Sequence, residues 1–91
     1  MAWIARHVRV TGRVQGVFFR GWTSDEARAL GLTGWVRNCS DGSVEGHVEG
    51  AAEDVDELIE IMREGPPGAR VDHISVENAD PEGLSGFEVR H

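Results

Sequence analysis

Residues 3–31 read WIARHVRVTGRVQGVFFRGWTSDEARALG, and a change of period inside this stretch decides the fold. Over 3–14, apolar and polar residues alternate. Ile4, Val8, Val10 and Val14 share one parity; His7, Arg9, Thr11 and Arg13 share the other, with Arg6 out of phase near the frayed start. A period of two means a strand with one face buried. Gln15 and Gly16 interrupt it. From about Arg20 the spacing turns helical: Thr23, Ala27 and Leu30 fall on one face, and Gly31 stands where a C-terminal cap belongs. Thr23 and Glu26 have capping-box spacing. The helix therefore starts either near Arg20 or near Ser24, and periodicity leaves both open.

Working outward, 34–39 reads as a strand, Asp41-Gly42 as a tight hairpin turn and 43–49 as the returning strand. In that return, Val44 and Val48 face inward, while Glu45, His47 and Glu49 face out. Residues 52–64 carry Val55, Leu58, Ile59 and Met62 on one helical stripe, and Gly65-Pro66-Pro67-Gly68 stops the helix. Two more strands follow, 70–78, in which Ile74 and Val76 share a parity, and 86–90, in which Phe87 and Val89 do. The order β-α-β-β-α-β plus a short C-terminal strand specifies an α+β fold. It is a ferredoxin-like split β-α-β sandwich, with two helices on one face of a mixed sheet and right-handed crossovers.

At 91 residues and 10.0 kDa, the chain is expected to form a single domain, 1–91. Its net charge of −7 is unevenly spread. Residues 1–45 hold six arginines against four acids, or +2; residues 46–91 hold three arginines against twelve acids, or −9. Such a chain is a poor general binder of nucleic acid, although its first half has charge to hold one small anion. Every basic residue is arginine, so mechanisms that need a lysine are excluded. No apolar run approaches the ~20 residues of a membrane span. The arginines in MAWIARHVRV break the apolar stretch of a secretory signal. Cys39, the single cysteine, has no internal disulfide partner. These features lead us to expect a cytoplasmic protein with no membrane or nucleic-acid partner.

Two loops carry chemistry. Gly12-Arg13-Val14-Gln15-Gly16-Val17-Phe18-Phe19-Arg20 joins a strand to a helix, where free backbone N–H groups and the helix dipole suit a phosphate. Arg20 follows within one turn and can clamp two oxygens at once. A plain βα turn with a surface arginine fits the same residues. No Cys or Ser lies in 12–20, and Glu45, not an arginine, stands six positions after Cys39, so a covalent phosphoenzyme is not expected. The second segment, Gly34-Trp35-Val36-Arg37-Asn38, ends on an amide able both to donate to and accept from a water. It also fits a simple turn-forming Asn.

Together the two segments resemble the signatures of the acylphosphatase family. The first is G-R-V-Q-G-V-F-F-R. The second is G-W-V-R-N, three free positions, G-S-V, five more and Gly50. Order, separation and chain length also match. The resemblance implies that Arg20 is the phosphate-binding catalytic arginine and that Asn38 orients the attacking water. The backbone amides of Gln15, Gly16, Val17, Phe18 and Phe19 would cradle the phosphoryl group. It implies hydrolysis of small-molecule acyl phosphates to carboxylate and inorganic phosphate, by a monomer, with no metal and no cofactor. Inorganic phosphate would be both product and competitive inhibitor. A substrate phosphoryl oxygen would take the water proton. Many relatives end in Arg-Tyr where this chain has Arg90-His91, which puts contacts of that terminal residue in question.

The remaining candidates read as structural. His7, His47 and His73 have polar-side parity, His91 is terminal, and none has metal-ligand spacing. They are expected at the surface. Cys39 falls at a free position of the signature and is assigned no role. Two rivals from other classes are a phosphate- or carbamoyl-phosphate-binding module on the same fold, and a single-stranded RNA platform using Trp3 and Trp35. A water-positioning amide speaks against the first, and the charge of −7 against the second.

Overall fold

The computed structural model describes residues 2–91. In chain order its elements are β1 (Trp3–Arg13), α1 (Phe19–Ala29), β2 (Thr33–Asn38), β3 (Val44–Ala51), α2 (Ala52–Glu64), β4 (Arg70–Ala79) and β5 (Phe87–Arg90). The strands form one sheet in the order β4-β1-β3-β2-β5. Neighbours are antiparallel except β2 and β5, which run parallel. The fold is therefore the α+β arrangement that the element order specifies.

Inward-facing Val8, Val10, Val36, Val44 and Val48 meet Phe19 and Ala27 of α1 and Val55, Leu58, Ile59 and Met62 of α2 in one cluster. Both helices thus cover the same sheet face. Each fully buried Val, Leu or Met there contributes about 1.5–3 kcal/mol relative to exposure. Gly34 allows the three strands around β2 to close up. A Cβ at that position would sit 1.9 Å from the His47 carbonyl oxygen, and its φ of 146° disfavours other residues.

Several local expectations change. Helix α1 starts at Phe19, and no side chain caps it. Thr23 lies inside the helix, so it forms no capping box. Its hydroxyl is buried without a partner, the cost of seating a helix-interior threonine on the apolar face. The helix ends in a Schellman pair, Leu32 N–H to Ala27 O at 2.9 Å and Gly31 N–H to Arg28 O at 3.1 Å. The hairpin turn is longer than a two-residue loop. Cys39 N–H meets Ser43 O at 2.8 Å, Gly42 N–H meets Cys39 O at 3.2 Å, and Gly42 takes a φ of 92°. Val76 is exposed, on the edge strand β4.

The largest departure is on the helix-free face. Glu45, His47 and Glu49 do point away from the core, but all three are buried. β3 is the central strand, and long side chains from both neighbours close over it. His47 is therefore not a surface histidine: its Nε2 lies 2.7 Å from Glu49 and its ring stacks on Trp35. Glu45 accepts from Arg37, Arg9 and His7. The guanidiniums of Arg90 and Arg37 lie 4.8 and 5.7 Å from the Trp35 ring centre, leaving it no free platform for a base.

Candidate active site

The register explains why one end of the sheet collects polar chemistry. Val10 pairs with Val44, Asn38 pairs with Val44, and Arg37 pairs with Arg90. The exits of β1, β2 and β5 and the entrance of β3 therefore share one end. The loop after β1 turns there into α1. A cleft of about 340 Å³ opens at this point, lined by Val14, Gly16, Phe18, Phe19, Arg20, Gly21, Asn38 and Val89. It brings together both side chains singled out in the sequence and part of the intervening loop.

Helix α1 begins close enough to Arg20 for its dipole to act in this cleft. The first N–H to find a helical acceptor is that of Trp22, on Phe18 O at 3.0 Å. The N–H groups of Phe19, Arg20 and Gly21 therefore have no acceptor inside the helix. Upstream, Gly16 and Phe18 adopt left-handed conformations, with φ of 75° and 63°. Left-handed residues in a turn curl the backbone into concave amide nests that take anions.

Arg20 is fixed from outside its helix. Its Nη1 donates to the Arg90 carbonyl at 2.8 Å and to His91 Nδ1 at 3.3 Å. A guanidinium only donates, so His91 Nδ1 accepts and its other ring nitrogen carries the proton. The chain end in question in the sequence thus lies against Arg20, with His91 supplying an acceptor of its own. Asn38, the last residue of β2, has a buried Oδ1 with no hydrogen-bond partner among the described residues. Leaving such a group unpaired costs about 1–3 kcal/mol.

Gln15 does more than sequence reasoning assigned to it. Its Nε2 donates to Cys39 O at 2.8 Å and Ser43 O at 2.9 Å, tying the loop after β1 to the hairpin that follows Asn38. An unpaired polar residue between Val14 and Gly16 was the only signal in the sequence, and it names no partner.

Cys39 lines a separate polar recess with Arg9, Arg37, Ser40 and Asp41; of the residues around the first cleft, only Asn38 borders both. Replacing Cys39 by Ser should leave turnover close to that of the unaltered chain, since only its backbone supports Gln15. A loss of about tenfold or more in steady-state kcat would give the thiol a role in the chemistry. Among the described residues, no three His, Cys, Asp or Glu side chains gather as metal ligands would. No helix among the described residues is long and apolar enough to cross a membrane.

Comparison with known proteins agrees with this geometry. The acylphosphatase family model matches residues 6–89. An acylphosphatase of Trichormus variabilis is 57% identical over 84 residues, covering 92% of this chain and 83% of that one. The structure of an acylphosphatase from Coxiella burnetii superposes with a TM-score of 0.93 at 43% identity, covering 97% of this chain and 93% of the other. That of the Bacillus subtilis acylphosphatase gives 0.94 at 36% identity, covering 97% and 99%. A match that includes both loops and part of every strand leaves one conclusion: the chain belongs to the acylphosphatase family of hydrolases.

Proposed function

We propose that the chain hydrolyses acyl phosphates by direct attack of a water that Asn38 positions on a phosphoryl group held by Arg20 and the 15–19 amides. One observation carries the reading: Asn38, whose buried amide oxygen has no partner among the described residues, lines the same cleft as an anchored arginine. The Asn38 oxygen accepts a hydrogen bond from the water, which aims a lone pair at phosphorus. The amides of Gln15, Gly16, Val17, Phe18 and Phe19 and the dipole of α1 meet the phosphoryl charge, while the free edge of the Arg20 guanidinium takes two of its oxygens.

As the water oxygen bonds to phosphorus, the bond from phosphorus to the acyl oxygen breaks, and the carboxylate leaves with that electron pair. A carboxylate needs no strong general acid. The water proton passes to a phosphoryl oxygen, giving inorganic phosphate. Transfer of this loose kind asks a protein mainly for positioning and charge stabilisation. The charge is met by Arg20 and backbone amides, so no metal or other cofactor enters a step. The reading covers residues 1–91 as one domain, a cytoplasmic monomer taking small-molecule substrates, with product phosphate competing at the same amides.

The test is release of phosphate from acetyl phosphate in excess EDTA, with inorganic phosphate titrated as inhibitor. Hydrolysis should persist, and inhibition should be competitive. Activity lost on chelation and restored by Mg²⁺ would overturn the metal-free route. Phosphate binding without turnover would make the domain a binding module.

A further inference from the structure

Phe18 is an aromatic side chain in a place the fold does not reward. It is 71% exposed, and its backbone is left-handed, with φ 63° and ψ 23°. A bulky residue is disfavoured in that conformation, where Gly or Asn is at ease. The ring does not drift in solvent, however. It lies across the α-carbon of Gly21 in the first turn of α1. A Cβ on Gly21 would come within 2.3 Å of Phe18 Cε1 and 2.5 Å of Cζ. A helix interior that accepts a glycine gives up helix propensity, and here the glycine is what makes room for the ring. Backbone strain, an exposed apolar ring and a helical glycine all act against stability. All three occur at the rim of the cleft that holds Arg20 and Asn38. Strain and exposed apolar surface concentrated at a site point to a ligand.

We infer that the Phe18 ring is a platform for the acyl group of the substrate, so that the enzyme favours acyl phosphates bearing an aromatic or extended apolar acyl group. This rests on the proposed hydrolysis and deepens it. With the phosphoryl group against the loop amides and Arg20, the acyl portion must leave through the rim. Of the apolar side chains lining the cleft, Val14 and Phe19 are buried and Val89 is half-buried, which leaves Phe18 as the exposed one. A planar acyl group can stack on the ring, and an aliphatic one can cover it; an acetyl group is too short to gain from either.

The experiment compares kcat/KM for benzoyl phosphate and acetyl phosphate in the unaltered protein, in Phe18→Asn and in Gly21→Ala. Comparing the ratio between proteins cancels the different intrinsic reactivities of the two substrates. Asn suits the left-handed backbone, so Phe18→Asn should fold. Gly21→Ala keeps the phenylalanine and pushes its ring off its seat. In both, the benzoyl-to-acetyl ratio should fall about three- to tenfold, the scale of one aromatic stacking contact, and through KM for benzoyl phosphate. An unchanged ratio in both folded variants, with acetyl phosphate still hydrolysed, overturns the platform and leaves the hydrolase reading standing. No hydrolysis of either substrate by the unaltered protein overturns both.

Discussion

Asn38→Ala should lower kcat by roughly two to three orders of magnitude, the scale of removing one preorganised polar contact from a transition state. Inorganic phosphate should still bind that variant nearly as well as the unaltered chain, because the amide is proposed to touch the water and not the phosphoryl group. Stability should move the other way. The Asn38 oxygen is buried with no partner, so truncating the side chain removes an unsatisfied group and should leave Tm equal or higher. A turn-forming Asn would behave oppositely, with Tm lowered and kcat retained. Arg20→Gln should differ from both. It removes charge present in ground state and transition state alike, so KM rises, phosphate inhibition weakens, and kcat/KM falls by roughly three orders of magnitude. The measurements are kcat, KM and the phosphate inhibition constant for each variant, with a thermal melt as folding control. Full kcat in folded Asn38→Ala would remove the water-positioning role.

How much of this was legible follows from which residues carry their own signal. The stripe of Val55, Leu58, Ile59 and Met62 and the stop at Gly65-Pro66 place α2 at 52–64, as its periodicity specifies. The start of α1 was open, because Thr23 and Glu26 imitate a capping box. The structure starts the helix at Phe19 through a left-handed Phe18, a conformation that no local propensity announces. The loops around Arg20 and Asn38 could be located, since each sits where a strand ends. Their supports could not. Gln15 reaches Cys39 and Ser43, and Arg20 reaches Arg90 and His91, contacts made by chain segments far apart in sequence. Parity likewise gave the face of Glu45, His47 and Glu49 without their burial. Burial of a polar face depends on what crosses it, and here Trp35, Arg37, Arg9 and the 80–86 connection do.

Glu49→Ala should be the most destabilising carboxylate substitution in the chain. Its side chain is 1% exposed, among the largest fully buried ones. One carboxylate accepts three hydrogen bonds: from the backbone N–H of Glu82, from that of Gly83 at 3.2 Å, and from His47 Nε2 at 2.7 Å. It thereby ties down the 80–86 connection, which has to carry the chain from β4 at one edge of the sheet to β5 at the other. Truncation leaves two backbone donors and an imidazole without their acceptor, a loss of about 3–5 kcal/mol by the measure of broken buried pairs. In a domain of this size, that lowers Tm by roughly 15 °C or more. Burial by itself would raise the Glu49 pKa, but the hydrogen bonds from Glu82, His47 and Gly83 outweigh it and hold the group below the ordinary 4.5. The stabilisation is therefore complete above the unfolded-state value and is lost as pH falls through the lower folded value. Glu45, held down in the same direction by Arg37 and His7 against its own burial, adds to that acid limb. Glu49→Gln keeps the shape and cannot titrate, so its stability should fall less steeply with acid below about pH 4.5 than that of the unaltered chain. Urea melts between pH 2 and 7 measure the slope directly. β5 also carries the Arg90 carbonyl that anchors Arg20, so loosening the connection should reach the cleft as weaker phosphate inhibition. Equal acid slopes in the two proteins would mean that Glu49 titrates alike in the folded and the unfolded chain, so that its three donors do not favour its charged form.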